Sequence, residues 1–242
     1  MNPLSTIRQM TANNLSATLQ HQRKSFGIIL SVLFLALVGL TLLPLQSCKP
    51  DEEDENCDTC LIAYKPNIYL YPLQTTELII SISFPRGGKI IASEPAYRDG
   101  WKVQVQPDGL IDGKFTYLFY ESRQPDHWQR TEGWVVAQAD LSSFFDNNLR
   151  QYGFNENEIA DFTDWWLQRL TIYPHYLIYP QTRENIDPLI RLEISAQPDR
   201  ILRLFYLIEG VSALPARLPA LPEIAAFERQ GFVLTEWGVL MR

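Results

Sequence analysis

The sequence predicts an α+β fold, mainly an antiparallel sheet or sandwich, with an inserted two-helix hairpin at about residues 141–170. Three observations predict it. Apolar and polar residues alternate up to residue 136, apolar residues then recur at helical spacing, and alternation returns after residue 170. Hydrophobic residues make up 46% of the chain and charged residues 20%, which is typical of a folded domain rather than a disordered one.

Strands are predicted throughout the first half of the folded part. Apolar residues alternate with mostly polar neighbours from Leu78 to Phe84, as in a half-buried strand. A second strand, 101–106, ends at the turn formed by 107–109, and the alternation continues over 115–119. We therefore predict that these two segments pair as a hairpin. A further strand is predicted at 133–136.

Two amphipathic helices are predicted next. One helical face carries Leu141, Phe144, Phe145, Leu149 and Tyr152. Gly153 is a natural stop for this helix, because glycine readily adopts the left-handed conformation of a helix end. Asn155, with Glu158 three residues later, is typical of a capping box, and a second apolar stripe follows it to Leu170. The two helices are expected to cover one side of a sheet.

The last third of the chain returns to strands. They are predicted at 176–179, 190–194, 202–208 and 232–237. The second and third of these are expected to pair across the turn Pro198-Asp199. Residues 214–222 contain three prolines, so this stretch is predicted to be an extended connector.

The N-terminal segment differs from the rest in composition. Residues 26–45 carry no charge, Arg23 and Lys24 precede them, and the acidic run 51–55 follows. This charge distribution predicts a cytoplasmic N-terminus and an exported remainder. The sequence thus divides into a signal or anchor segment (1–47), an acidic tether (48–60) and one globular extracytoplasmic domain (61–242).

A short stretch after the apolar segment resembles two export signals. Leu45-Gln46-Ser47-Cys48 resembles a bacterial lipobox, and the acidic residues after it resemble the tag of surface lipoproteins of the Bacteroidetes type. The resemblance implies that Cys48 is lipidated and holds the domain on the outer face of the outer membrane. Acyl chains contribute about 0.8 kcal/mol per buried methylene, so several chains anchor stably. The alternative is an uncleaved transmembrane helix at 26–45, because about twenty residues span a bilayer.

The two other cysteines, Cys57 and Cys60, form a C-x-x-C motif within the tether. Such a pair can be a redox motif, half of a zinc site or a local disulfide. Zinc would need two more ligands, and no histidine lies within sixty residues downstream. We favour a disulfide between Cys57 and Cys60, which suits an oxidising compartment.

One motif in the folded part resembles a known family. Residues 65–72, Lys-Pro-Asn-Ile-Tyr-Leu-Tyr-Pro, resemble the opening of a bacterial family of exported domains that begin K-P-x-I-Y-L-Y-P. Later blocks resemble it as well, at 100–103, 107–109, 117–121, 133–136, 165–167 and 235–238. The family has no established activity, so the resemblance implies one exported domain and no particular catalytic residue.

Charge and motif content argue against several function classes. The net charge is -7 although the leader's charged residues are all basic, so the folded part offers no excess of basic residues for a nucleic-acid backbone. The aspartates at 99, 108 and 112 do not match the spacing of an EF-hand calcium loop and fit turns better. We predict no metal and no cofactor.

Catalytic motifs of hydrolases, metalloproteases and phosphate-binding loops are missing from the sequence, which favours a role other than catalysis. His127 and His175 could act as an acid/base pair near neutral pH, but packed or exposed loop histidines are the favoured explanation. Acidic residues near tryptophans suit glycoside cleavage, which needs two carboxylates. The candidates are Glu121, Asp126, Glu132 and Glu236.

The sequence predicts a membrane-tethered domain that binds an envelope protein or a glycan. Trp128, Trp134 and Trp237 are the candidate binding surface, because exposed tryptophans are costly without a ligand. The alternatives are a hydrolase acting on cell-surface polymers through Glu121, Glu132 or Glu236, and a purely structural envelope component. A cleft with converging carboxylates favours the enzyme, and a flat aromatic face favours binding.

Overall fold

The computed structural model describes residues 59–241. The described residues belong to one compact unit. The described strands are β1 (Cys60–Tyr71), β2 (Thr76–Ser83), β3 (Lys89–Glu94), β4 (Trp101–Val105), β5 (Leu118–Pro125), β6 (Trp134–Ala137), β7 (His175–Thr182), β8 (Arg191–Ile194), β9 (Arg200–Val211) and β10 (Val233–Met241). The helices are α1 (Leu141–Tyr152), α2 (Glu156–Trp166) and α3 (Arg183–Ile186), and a short 3-10 turn precedes α1.

The strands form two sheets. The large sheet has seven strands in the order β3-β5-β1-β10-β9-β7-β6, and the small sheet has the order β4-β2-β8. Every neighbouring pair is antiparallel except β9 and β10, which run parallel. The predicted α+β class, mainly antiparallel with an inserted two-helix hairpin, is confirmed.

The central strands of the large sheet, β1, β10 and β9, are buried on both faces over much of their length. Successive side chains of a strand point to opposite faces. In β9, Leu204 and Tyr206 therefore pack with α1 and α2, while Phe205 and Leu207 pack toward the small sheet. The result is a layer of helices, the large sheet and the small sheet, with a hydrophobic core in each of the two interfaces.

Both predicted β-hairpins are wrong. β4 pairs with β2 in the small sheet, whereas β5 pairs with β1 and β3 in the large one. In the same way, β8 belongs to the small sheet and β9 to the large one. The turn after β4 does form, with the Gly109 N–H donating to the Gln106 carbonyl at 3.0 Å. A turn signal marks where the chain changes direction, and it does not specify which sheet receives the next strand.

The helical hairpin follows its local signals. Gly153 ends α1 at φ 103°, in the left-handed region. The capping box at the start of α2 has both of its hydrogen bonds: Glu158 N–H to Asn155 Oδ1 at 3.0 Å and Asn155 N–H to Glu158 Oε2 at 2.8 Å. These two ends allow the helices to reverse direction over three residues.

Several predictions concern residues outside the described part of the chain: the apolar segment 26–45, Cys48 and Cys57. Within 59–241, no helix combines the length and the apolar character needed to cross a membrane. Cys60, the first residue of β1, is disulfide-bonded. Its partner lies outside the described residues, so the pairing with Cys57 stays a prediction.

Candidate functional site

The three candidate tryptophans do not form an exposed surface. Trp237 is fully buried beneath α2 and donates its indole N–H to the Glu158 carbonyl at 3.1 Å. Trp128 is buried in the other core, between the two sheets, and Trp134 is half-buried with its ring edge-to-face on Phe144. The predicted tryptophan surface is therefore corrected: aromatic residues at alternating strand positions here fill the core.

The candidate carboxylates also lie apart. Glu236 is fully buried in β10, where it forms a salt bridge with Arg203 and accepts a hydrogen bond from the Tyr120 hydroxyl at 2.8 Å. Glu121 follows Tyr120 in β5, so it points to the opposite face of the sheet. Glu132 is exposed beside β6, five strand spacings or about 24 Å from β5. The fold does not bring these three side chains together.

The remaining polar candidates are separate as well. Asp126 forms a salt bridge with Arg130 at 2.8 Å, and Arg130 also contacts Glu209 at 3.1 Å. His127 is exposed, whereas His175 is half-buried at the start of β7 with no partner for its Nδ1 among the described residues. No hydrogen bond links the two histidines in the described structure.

A pocket around Lys65 is the most distinctive polar feature of the described domain. The register of β1 shifts between Tyr64 and Asn67, and Lys65 within this bulge has φ 50°. Left-handed backbone is uncommon outside glycine, and strained residues of this kind cluster at functional sites. A bulge also turns a side chain away from the regular alternation of the strand. Here it directs the Lys65 side chain toward the face of the sheet that carries α2.

The Lys65 ammonium lies among aromatic rings. Its Nζ is 4.7 Å from the ring centre of Trp165, 4.8 Å from that of Tyr117, 5.7 Å from that of Phe119 and 5.8 Å from that of Trp237. Such cation–π contacts stabilise a desolvated ammonium. Nζ also donates to the Tyr117 hydroxyl at 3.2 Å. It forms no salt bridge with a described residue, although only 8% of Lys65 is exposed.

The ammonium faces a cavity of about 340 Å³, which we call the Lys65 pocket. Its wall consists of Lys65, Glu94, the segment 114–117, Phe119 and Trp165. Four separate parts of the chain therefore build it: the bulge of β1, the end of β3, the loop that enters β5 with the start of that strand, and the last turn of α2. Trp165 is held in place by Arg169, whose guanidinium carbon is 3.7 Å from the ring centre.

Two carboxylates influence Lys65 without forming a salt bridge to it. Burial raises the pKa of Glu121, and this rise is opposed by a hydrogen bond from the Lys65 backbone N–H and by the Lys65 charge. Burial likewise raises the pKa of Asp161, opposed by the Tyr69 hydroxyl, which donates to it at 2.9 Å, and by Lys65. Asn67 is fully buried nearby, and its Oδ1 finds no donor among the described residues.

Sequence reasoning assigned no role to Lys65, although the residue opens the recognised 65–72 motif. The sequence does contain a signal: a lysine directly before a proline, within a run whose other residues, apart from Asn67, are apolar or aromatic. Lysine is almost never fully buried without a partner, so a lysine inside a buried strand marks a special environment.

No metal centre accompanies the pocket, since no group of three or more His, Cys, Asp or Glu in residues 59–241 could hold a metal ion. No protein-family model matches this chain, no curated protein is similar to it, and no solved structure resembles it. The resemblance to the K-P-x-I-Y-L-Y-P family therefore stays a prediction, and function has to follow from the residues of the Lys65 pocket.

Proposed function

We propose that this chain is a membrane-tethered, extracytoplasmic domain that binds a glycan of the cell envelope in the Lys65 pocket, without catalysis of its own. One observation carries the proposal. A buried ammonium with unused N–H donors faces a cavity that is walled by aromatic rings. Ligand sites typically combine a mainly apolar wall with a few directed polar groups in this way.

The dimensions of the pocket favour a small ligand group over a protein surface. Its volume of about 340 Å³ is at the lower end of ordinary ligand pockets, which suits one or two sugar rings. A stable protein interface needs roughly 800 Å² from each partner. Rings of Phe115, Tyr117 and Phe119 can pack on the C–H faces of a sugar, while Thr116 and Glu94 can hydrogen-bond its hydroxyls.

Glycoside cleavage gains no support from this arrangement. Retaining enzymes place two carboxyl groups about 5–5.5 Å apart, and inverting enzymes about 6.5–9.5 Å apart, across the bond that breaks. Of the described residues that line the pocket, only Glu94 carries a carboxylate. The hydrolase alternative, acting through Glu121, Glu132 or Glu236, therefore has no observation in its favour.

The tether is supported by the sequence alone. The uncharged segment 26–45, the Leu45–Cys48 match to a lipobox and the acidic run after it favour lipidation of Cys48 and an outward-facing position on the outer membrane. Mass spectrometry of the mature N-terminus tests this. We expect an acylated Cys48 as the first residue; an unmodified chain that retains residues 1–47 would instead establish a transmembrane anchor.

A thermal-shift screen tests glycan binding. We expect the detergent-solubilised full chain to be stabilised by at least one envelope oligosaccharide, because a ligand at a hundred times its Kd contributes about 2.7 kcal/mol. Thr116→Arg, at an exposed position of the pocket wall, should block the cavity and abolish the shift. Thr171→Arg, also exposed but outside that wall, is the matched control and should keep it.

Each remaining outcome counts against a stated part of the proposal. A shift that persists in Thr116→Arg would place the ligand elsewhere on the protein. If no oligosaccharide shifts the wild type, the domain is not a glycan-binding module, and a pull-down from the envelope becomes the next experiment.

A further inference from the structure

We infer that the Lys65 pocket selects an acidic sugar and binds its carboxylate through the Lys65 ammonium. This inference rests on the proposed function and specifies its ligand class. The Lys65 ammonium has N–H donors that no described residue accepts. A lysine ammonium has three N–H donors, and the Tyr117 hydroxyl accepts one of them at 3.2 Å. The described residues supply no acceptor for the other two.

The burial of Lys65 makes its two remaining N–H donors energetically significant. Aromatic rings attract a cation, but they do not replace oxygen acceptors, and a desolvated charge without them is costly. Only 8% of Lys65 is exposed, so its side chain is largely enclosed by protein apart from the cavity that it lines. A carboxylate supplies several acceptor positions and an opposite charge, and such charge-assisted hydrogen bonds are about twice as strong as neutral ones. A sugar hydroxyl supplies an acceptor without the charge.

The charges that line the pocket favour a negative charge on the ligand, and two nearby carboxylates outside the wall limit the size of that charge. Two ammonium groups, those of Lys65 and Lys114, and one carboxylate, that of Glu94, line the cavity, which leaves its wall net positive. Lys114 lies 4.5 Å from the Phe115 ring centre and forms no salt bridge with a described residue. Glu121 and Asp161 lie close enough to act on Lys65 from outside the wall. These carboxylates oppose a doubly charged phosphate more than a singly charged carboxylate.

The apolar part of the wall fits the body of such a ligand. Phe115 and Phe119 are half-buried, so each presents part of its ring to the cavity. Trp165 is held between Arg169 and Lys65, and it closes the cavity on the side of α2. A carboxylate on a compact ring with apolar faces, as in a uronic or nonulosonic acid, combines both features that the wall offers.

The test compares each acid with its neutral counterpart. The detergent-solubilised full chain is titrated calorimetrically with oligosaccharides of glucuronic, galacturonic and N-acetylneuraminic acid, and with the methyl ester of each. The ester keeps the sugar ring, removes the charge and adds one methyl group. We expect at least one acid to bind at least tenfold more tightly than its ester, with a preference that weakens as salt screens the charges.

Lys65→Met assigns the preference to the ammonium, because methionine keeps an unbranched apolar side chain without the charge. The tenfold difference between acid and ester should disappear in this variant. It should persist in Lys102→Met, which removes an exposed lysine on β4 whose side chain is 67% exposed. If Lys65→Met does not fold, Lys114→Met replaces it. That residue is exposed, and its removal should reduce the preference at least threefold.

The outcomes separate the two proposals. Esters that bind as tightly as their acids would overturn the selection for acidic sugars and leave the glycan-binding function intact. An acid preference that is unchanged in both Lys65→Met and Lys114→Met would overturn the assignment to this pocket. If neither acids, esters nor the wider oligosaccharide screen show binding, the proposed function fails with it.

Discussion

At the residue scale, the described domain buries four charged side chains, Lys65, Glu158, Arg203 and Glu236, and stabilises them in three different ways. Lys65 is surrounded by rings. Glu158 in α2 accepts hydrogen bonds from Thr235 at 2.6 Å and from Arg229 at 3.0 Å. Glu236 pairs with Arg203, which is itself buried. Only the first of these has hydrogen-bonding capacity directed into a cavity, which is why Lys65, and not the acids, is the functional candidate.

The buried pair Glu236–Arg203 gives a stability prediction. Glu236→Gln keeps the shape of the side chain but removes the fully buried acidic partner of Arg203, which keeps only its contact with the partly exposed Asp187 at 2.7 Å. We expect the free energy of unfolding to fall by about 3–5 kcal/mol. Glu77→Gln breaks an exposed pair with Lys102 and should cost about 0–1 kcal/mol. Urea denaturation of the two variants measures both values, and similar losses would contradict the distinction.

At the element scale, the helical hairpin is defined by its two ends. The Gly153 N–H donates to the carbonyls of Leu149 at 3.1 Å and Arg150 at 3.0 Å, and the Asn155 cap begins α2 two residues later. Because the helices then lie antiparallel on one face of the large sheet, Trp165 near the end of α2 comes to lie over the bulge of β1. The hairpin thus provides one wall of the Lys65 pocket.

Gly153 is the sensitive residue of this element. Alanine there would have to adopt φ 103°, which costs about 1–2 kcal/mol, and its Cβ would lie 2.8 Å from the Cβ of Phe227. Gly113, at φ 65° with open space around it, isolates the conformational cost. We expect Gly153→Ala to lower the unfolding free energy by at least about 1 kcal/mol more than Gly113→Ala, since overpacking adds roughly 1–3 kcal/mol. Equal losses in denaturant titrations would show that Phe227 moves aside without cost.

At the scale of the whole molecule, the fold depends on aromatic residues buried in both interfaces. The chain has 11 tyrosines. Burial is the largest cause of a raised hydroxyl pKa at Tyr69, Tyr71, Tyr120, Tyr152, Tyr179 and Tyr206. For Tyr152 the pKa rises to about 12. Buried tyrosines of this kind make the free energy of unfolding depend on pH in the alkaline range.

The sign of this dependence follows from the raised pKa values. Below pH 10 these tyrosines are protonated in both states, so their contribution to stability is fully present. As the pH rises above about 10, the unfolded chain loses these protons while the folded protein retains them, so the unfolding free energy falls. We expect tyrosinate absorbance at 295 nm from these six residues to appear together with unfolding. Ionisation of all tyrosines near pH 10 without loss of structure would contradict this.

The sequence by itself determined the features that depend on neighbouring residues. The fold class, both helices of the hairpin, the stop at Gly153 and the capping box at Asn155 were predictable, because each depends on periodicity or on hydrogen bonds within a few residues. Segments with one-sided alternation, such as β2 and β4, were recognisable as strands for the same reason. The turn at 107–109 was likewise readable from its residues.

Only the tertiary structure decided which segments meet. β1 was not predicted as a strand, because it is buried on both faces over much of its length and shows no regular alternation. The sheet that receives β5 or β9, and the burial of Trp237, depend on partners far away in the chain, which local patterns do not encode. The Lys65 pocket depends on the same long-range order: a bulge in β1 becomes a site only when β5, β10 and α2 bring their rings around one ammonium.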